Sequence, residues 1–311
     1  MLRATPVLCA LGGALVAFGG CGLGPGEKPQ GTRLTVTENF GALQRTEQPA
    51  PKTGAGDTVM RLLQRNAKVT TRFGGGFVQS IDGVAGSRRA GRPYDWFFYV
   101  NGVESEKGAA SVEVREGDRV WWDRHDWGLT MRVPAVVGSF PEPFRRGRNG
   151  KRLPVRVECT APQSEACRTA RDRLTAVGVV AARGGLQTSQ TKNTLRVLVG
   201  PYAALRNDDA AGRLERGPRA SGVYARAARD GRSVAVLDAT GRVTRTLTAG
   251  TGLLGATRVR DGQPVWLVTG TDDRGVLDAA RALEEGVLRD KFALAISDGR
   301  AVALPEIAVP R

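Results

Sequence analysis

The stretch Trp96-Phe97-Phe98-Tyr99-Val100-Asn101-Gly102 decides how this chain is read. Five consecutive large or β-branched residues favour an extended backbone, and Asn-Gly is the strongest short hairpin signal, because both positions tolerate a positive φ. Successive strand side chains point to opposite faces. Trp96, Phe98 and Val100 therefore face one way, and Phe97 and Tyr99 the other. Working outward, Arg119-Val120-Trp121-Trp122-Asp123 follows the turn Glu116-Gly117-Asp118 and splits its two tryptophans between faces in the same way. A sheet built from these strands carries large rings on both sides.

The neighbouring segments supply more strands and one helix. Arg33 to Thr37 alternates with β-branched residues, Val69 to Phe73 is extended, Phe77 to Ile81 ends in an Asp82-Gly83 turn, and Ala110 to Val114 alternates. Asp57 is placed to cap a short helix whose Val59, Met60, Leu62 and Leu63 share a face and which ends near Asn66. Residues 32–137 thus read as an α+β module, one helix over four or five strands, resembling a β-grasp. One helix covers one sheet face. The rings on the other face need a flat ligand, the second domain or a partner chain.

Three motifs occur in order: Phe73-Gly74-Gly75-Gly76-Phe77-Val78-Gln79-Ser80-Ile81-Asp82-Gly83-Val84, then Trp96 to Gly102, then Glu116-Gly117-Asp118-Arg119-Val120-Trp121-Trp122. Together with the helix start at Gly56-Asp57-Thr58-Val59, they resemble the transcobalamin C-terminal-like domain family, over about a third of the chain. The resemblance implies a surface-exposed bacterial module and, by analogy, a corrinoid as ligand. The candidate ligand-binding residues on this aromatic sheet and its turns are Phe77, Trp96, Phe97, Tyr99, Asn101, Trp121 and Trp122. No cofactor beyond that ligand is expected.

Beyond this module lies a join, residues 138–152, with two prolines and the run Arg145-Arg146-Gly147-Arg148-Asn149-Gly150-Lys151-Arg152. It reads as a solvated hinge, or as a basic patch resting on an anionic surface. Residues 153–311 read as a mixed α/β domain. Its expected strands are Leu153–Val157, Leu195–Gly200, Val223–Ala227, Ser233–Leu237, Val243–Leu247, Val265–Gly270, Phe292–Ile296 and Ala301–Leu304. Helices are expected from Ser164 through Val177, from Ala203 to Leu214, and after Asp272.

The N-terminus sets the compartment. Arg3, the apolar run Val7 to Phe18, and Gly19-Gly20 ahead of Cys21 have the parts of a secretory signal with a lipid-accepting cysteine at the cut. The apolar core is shorter than the ~20 residues a membrane span needs. Residues 1–20 therefore read as a lipoprotein signal peptide, and Cys21 as the site of lipid attachment. Residues 21–31, rich in Gly and Pro, form a flexible tether. The expected location is extracytoplasmic, lipid-anchored at the cell membrane. Of the four cysteines, Cys9 leaves with the signal and Cys21 takes lipid. Cys159 and Cys167 remain, and in an oxidising compartment such a pair reads as a disulfide, with two free thiols as the other reading.

The formal charge of +15 points to an acidic surface, either phospholipid or anionic wall polymer, although an arginine-rich composition also follows from a GC-rich genome. Nucleic acid does not fit an exported chain whose aromatics do not interleave with its basic residues. Gly250-Thr251-Gly252-Leu253-Leu254-Gly255 spells a dinucleotide fingerprint, but no helix follows it within reach, and it reads as a tight turn with close backbone packing. Asp123-Arg124-His125-Asp126 reads as structural, and no metal site is expected. The expected function is an extracytoplasmic binding lipoprotein, not an enzyme, capturing a small ligand such as a corrinoid for an uptake transporter. One alternative is a structural or adhesive envelope protein that binds anionic wall polymer. The other is a wall-glycan hydrolase using carboxylates such as Glu215, Asp238 and Asp272.

Overall fold

The computed structural model describes Met1, residues 31–187 and residues 193–307. The signal segment, Cys21 and the tether up to residue 30 lie outside the described residues.

The N-terminal half contains β1 (Arg33–Glu38), β2 (Leu43–Gln48), α1 (Val59–Asn66), β3 (Val69–Arg72), β4 (Phe77–Ile81), β5 (Val84–Ala85), β6 (Ser87–Arg89), β7 (Arg92–Val100), β8 (Val103–Glu104) and β9 (Arg119–Asp126). The main sheet has the order β2-β1-β9-β7-β6, with β8 also paired to β7, and β3-β4-β5 form a small separate sheet. β1 and β9 run parallel at the centre, and their other neighbours are antiparallel. α1 closes one face. Val59, Met60, Leu62 and Leu63 pack with Trp96, Val120 and Trp122.

Two local expectations are corrected, and one strand is added. The cap of α1 is Thr58, whose hydroxyl accepts from the Arg61 N–H at 3.3 Å. Asp57 is instead fully buried, accepting from the Gly54 N–H at 2.6 Å and from Arg65 Nε at 3.0 Å. Ala110 to Val114 is not a strand: Ala109–Ser111 forms one 3-10 turn, and the segment holds α1 through the Val59 N–H to Val112 carbonyl bond of 2.8 Å. β2 carried no sequence signal, because as an edge strand it buries none of its side chains.

The C-terminal half contains β10 (Val155–Cys159), α2 (Glu165–Ala176), β11 (Ala181–Gly185), β12 (Leu195–Pro201), α3 (Tyr202–Leu205), α4 (Pro218–Ser221), β13 (Ala225–Ala227), β14 (Val234–Leu237), β15 (Val243–Leu247), β16 (Gly252–Arg258), β17 (Pro264–Gly270), α5 (Asp273–Arg281), α6 (Glu285–Leu288), β18 (Ala293–Ser297) and β19 (Arg300–Leu304). Seven strands form a mixed sheet, β11-β10-β12-β17-β16-β18-β19, and β13-β14-β15 form a second sheet. The whole is α+β. Ser164 and Asp272 cap α2 and α5, as their side chains suggest. Cys159 and Cys167 are joined by a disulfide that ties the end of β10 to the first turn of α2.

The expected helix from Ala203 to Leu214 is broken into α3 and a 3-10 turn at Ala211–Arg216. Asp208 interrupts it by accepting from the Ala210 N–H at 2.9 Å and from Arg196 Nη2 at 2.6 Å. The glycines at 252 and 255 lie within β16, not in a tight turn. The close packing expected of them is present, since a Cβ on Gly252 would overlap the Gly275 carbonyl.

The two halves share a core. α2 and α5 cover one face of the seven-stranded sheet. The other face is buried with Phe40 of the β1–β2 turn, with Tyr99 and Trp121 of the first sheet, and with Tyr224, Leu253 and Phe292. Phe292, 2 % exposed, sits among four rings, with centroids 5.1 Å from Trp121, 5.2 Å from Phe40, 5.5 Å from His125 and 5.6 Å from Tyr99. Its carbonyl accepts from the Val137 N–H at 3.2 Å. At Gly41, φ is +81°, and a Cβ there would overlap the Asp290 carbonyl, so only glycine permits this approach. Glu285 receives both Arg33 and Arg119 at 2.8 Å at the rim.

The join does not behave as a hinge. Phe140 and Phe144 are buried and pack on Trp266, with centroids 6.0 and 5.0 Å away. Truncation of Phe292 removes a ring from a packed aromatic cluster, and such changes cost about 3–5 kcal/mol. Denaturant unfolding of Phe292→Ala should show a loss of that size, while Phe77→Ala, at a half-exposed ring, should stay within about 1 kcal/mol. A Phe292→Ala protein as stable as the parent would mean that the two halves do not share this core.

Candidate functional site

The residues expected to face a ligand do not converge on an open surface. Trp96 and Trp122 are buried beneath α1, and Trp96 Nε1 donates to the Val84 carbonyl at 2.9 Å. Tyr99 and Trp121 lie under Phe292, and Phe97 packs against the same cluster. Asn101 is 1 % exposed and serves the hairpin. Its Nδ2 donates to Asp118 at 2.8 Å and to the Gly147 carbonyl at 3.0 Å, and its Oδ1 accepts from the Arg119 N–H at 2.9 Å. Phe77 is the exception. It is exposed beside Phe73, with ring centroids 6.4 Å apart, on the small β3-β4-β5 sheet. The C-terminal half, one of the covers the sequence allowed, occupies the ring-bearing face.

Asp123 and His125 form a buried pair in this interface. His125 Nδ1 lies 2.8 Å from Asp123, which also accepts from the Phe40 and Gly41 N–H groups at 3.0 and 2.9 Å. The imidazole is stacked between Phe40 and Phe97, 4.5 Å from each. A carboxylate this fully hydrogen-bonded holds the loop after β1 against β9. The three carboxylates considered for hydrolysis are each committed locally. Glu215 pairs with Arg206 at 3.0 Å, Asp238 closes its own turn through Thr240 and Arg242, and Asp272 caps α5. Among the described residues, no group of three or more His, Cys, Asp or Glu side chains is placed to hold a metal.

Two polar recesses flank the join. One, of about 370 Å³, is lined by Glu104, Glu106, Glu113, Arg115 and Arg148 among others. Burial lifts the Glu104 carboxyl to about 7 against the opposing pull of Arg132 and Arg258. Arg258 pairs with Glu106 at 3.0 Å. The other, of about 780 Å³, lies where β12 and β17 begin and β16 has just ended. It is lined by Arg196, Arg213, Arg216, Arg260, Asp209, Asp261 and Gln263 among others. Arg148 connects the two, since it lines the first and its Nη1 reaches Gln263 of the second at 3.5 Å. Arg145, Lys151 and Arg152 project from the same packed join, and none forms an ion pair among the described residues.

No sequence signal grouped the cavity arginines. Arg196 comes from a strand, Arg213 and Arg216 from a broken helix, and Arg260 from a turn. Topology alone assembles them. The basic run at 145–152 was legible, but not its rigid mounting.

Residues 56–126 match the family described as a domain of unknown function, DUF4430. No curated protein and no solved structure matches the chain significantly.

Glu104 gives the site a pH signature. Its folded pKa, near 7, lies above its ordinary 4.5. Between those values the folded state keeps a proton that the unfolded state has lost, so stability falls as pH rises through this window. Below about 4.5 the two states bind that proton equally. Glu104→Gln should therefore stabilise the protein by about 1–3 kcal/mol at pH 8, allowing for screening at a partly exposed group, and should change little at pH 4. Urea melts at the two pH values check this. Equal effects at both would show that Glu104 is not held protonated by the fold.

Proposed function

We propose that this chain is an exported lipoprotein, anchored through Cys21, that holds an anionic polymer of the cell envelope and does not transform it. The observation that carries the reading is the join. Its aromatic residues are locked into the core, while Arg145, Lys151 and Arg152 stand out from it without ion-pair partners among the described residues, and Arg148 of the same join reaches Gln263 of a recess lined by four arginines. Cations on a packed scaffold keep their spacing, so a charged chain meets them without a large ordering cost. The chain's excess of +15 draws acidic partners from a distance. A recess favours a single extended strand over a planar bilayer, which supports polymer ahead of phospholipid.

The resemblance of residues 32–137 to transcobalamin C-terminal-like domains fits the DUF4430 match, since that domain is found in transcobalamin-like proteins. The corrinoid reading required an open aromatic face, however, and Phe292 and its neighbours fill that face. Without it, no observation favours capture for an uptake transporter.

The full chain in a nonionic detergent should sediment with isolated cell walls. Retention should fade as salt is raised from roughly 50 to 500 mM, because exposed ion pairs are screened over that range. Walls stripped of phosphate polymer should retain little protein. Charge reversal at Arg145→Glu, Lys151→Glu and Arg152→Glu should cut retention several-fold with no loss of folding. Retention indifferent to salt and to these substitutions would overturn the reading.

A further inference from the structure

The cavity beneath β12 and β17 has features that the exposed join lacks. Arg196 lines it while only 5 % exposed. Its Nε and Nη2 are taken up by Glu158, at 3.2 and 2.8 Å, and Nη2 also reaches Asp208 at 2.6 Å. Its Nη1 is buried with no acceptor among the described residues. Arg213 is similar: Nη1 donates to the Ala220 carbonyl at 2.9 Å, and its buried Nε has no acceptor among the described residues. A buried N–H on a cation left without an acceptor is costly, because it has given up its water and gained nothing in return. Both arginines, from separate segments, line the same recess. Arg216 and Arg260, both exposed, complete its basic lining and form no ion pair among the described residues. With Arg196 balanced by Glu158 and Asp208, the lining sets Arg213, Arg216 and Arg260 against Asp209 and Asp261.

From this geometry we infer that the cavity is a subsite for one phosphate-type oxyanion, a phosphate ester of the polymer to which the exposed join binds. This rests on the proposed function and deepens it by naming the recognised group. Guanidinium forks pair with carboxylate and phosphate alike. Here the forks come from the broken helix, through Arg213 and Arg216, and from the turn after β16, through Arg260. Donors arriving from several directions suit a tetrahedral group with three or four acceptor oxygens better than a planar carboxylate with two. Arg148, bonded to Gln263 at the cavity and belonging to the join, gives a bound strand a continuous basic path from one to the other.

The test is calorimetric titration of the full chain in nonionic detergent with inorganic phosphate, glycerol phosphate, acetate and chloride at matched ionic strength. Phosphate and glycerol phosphate should bind, and acetate and chloride should bind at least tenfold more weakly. Arg216→Gln with Arg260→Gln should weaken phosphate at least tenfold. These positions are exposed, so the fold should survive, as circular dichroism would confirm. The triple charge reversal in the join should leave phosphate affinity unchanged while reducing wall retention. Vesicles of phosphatidylglycerol and a soluble polyglycerol phosphate separate the two sources of phosphate, and the polymer should compete with inorganic phosphate where vesicles do not. Equal affinity for chloride, phosphate affinity unchanged in the Arg216/Arg260 variant, or competition by vesicles alone would overturn the subsite. Loss of wall retention in the join variant with no phosphate binding in the parent would overturn the subsite and leave the broader reading standing.

Discussion

A sheet that wears large rings on both sides must be covered twice, and the way this chain provides the second cover determines the rest of the structure. α1 is eight residues long and closes one face. The other face is closed by the C-terminal half, with Phe292 set among Phe40, Tyr99, Trp121 and His125. The polar groups of that interface are arranged around the rings. Asp123 gathers the N–H groups of the β1 loop, and Glu285 collects Arg33 and Arg119 at the edge. Apolar contact supplies most of the cohesion in such a junction, and the satisfied polar rim sets its register.

Closing that face moves the search for function elsewhere. A module whose aromatic surface is spent on its own partner domain has none of it left for a flat ligand. What the closure leaves exposed is charge. With Phe140 and Phe144 held against Trp266, the basic run at 145–152 is fixed in place beside the arginine-lined cavity. The same packing that removes one candidate surface creates the other.

Much of the fold was legible because it follows from local chemistry. The alternation at 96–100, the Asn101-Gly102 hairpin, the caps at Ser164 and Asp272, and the spacing of Cys159 and Cys167 each act through near neighbours. What could not be read depends on distant partners. β2 is an edge strand whose side chains are not buried, so no alternation marks it. The helix expected at 203–214 looked continuous until Asp208 met Arg196. The join has the composition of a linker, and only its two phenylalanines hint that it packs. The candidate site was the least legible part, since its arginines come from three segments separated by tens of residues. The sequence did foresee that something must cover the second sheet face, but periodicity carries no information about what does.

The central claim is that residues 32–137 form half of a shared core and do not stand as a free binding module. Excising that segment and measuring its unfolding together with binding of an apolar dye tests it most directly. The account predicts a segment that lacks a cooperative transition, or that folds only with its ring-bearing face taking up dye, while the full chain takes up none. A monomeric segment with a sharp transition and no dye binding would contradict it.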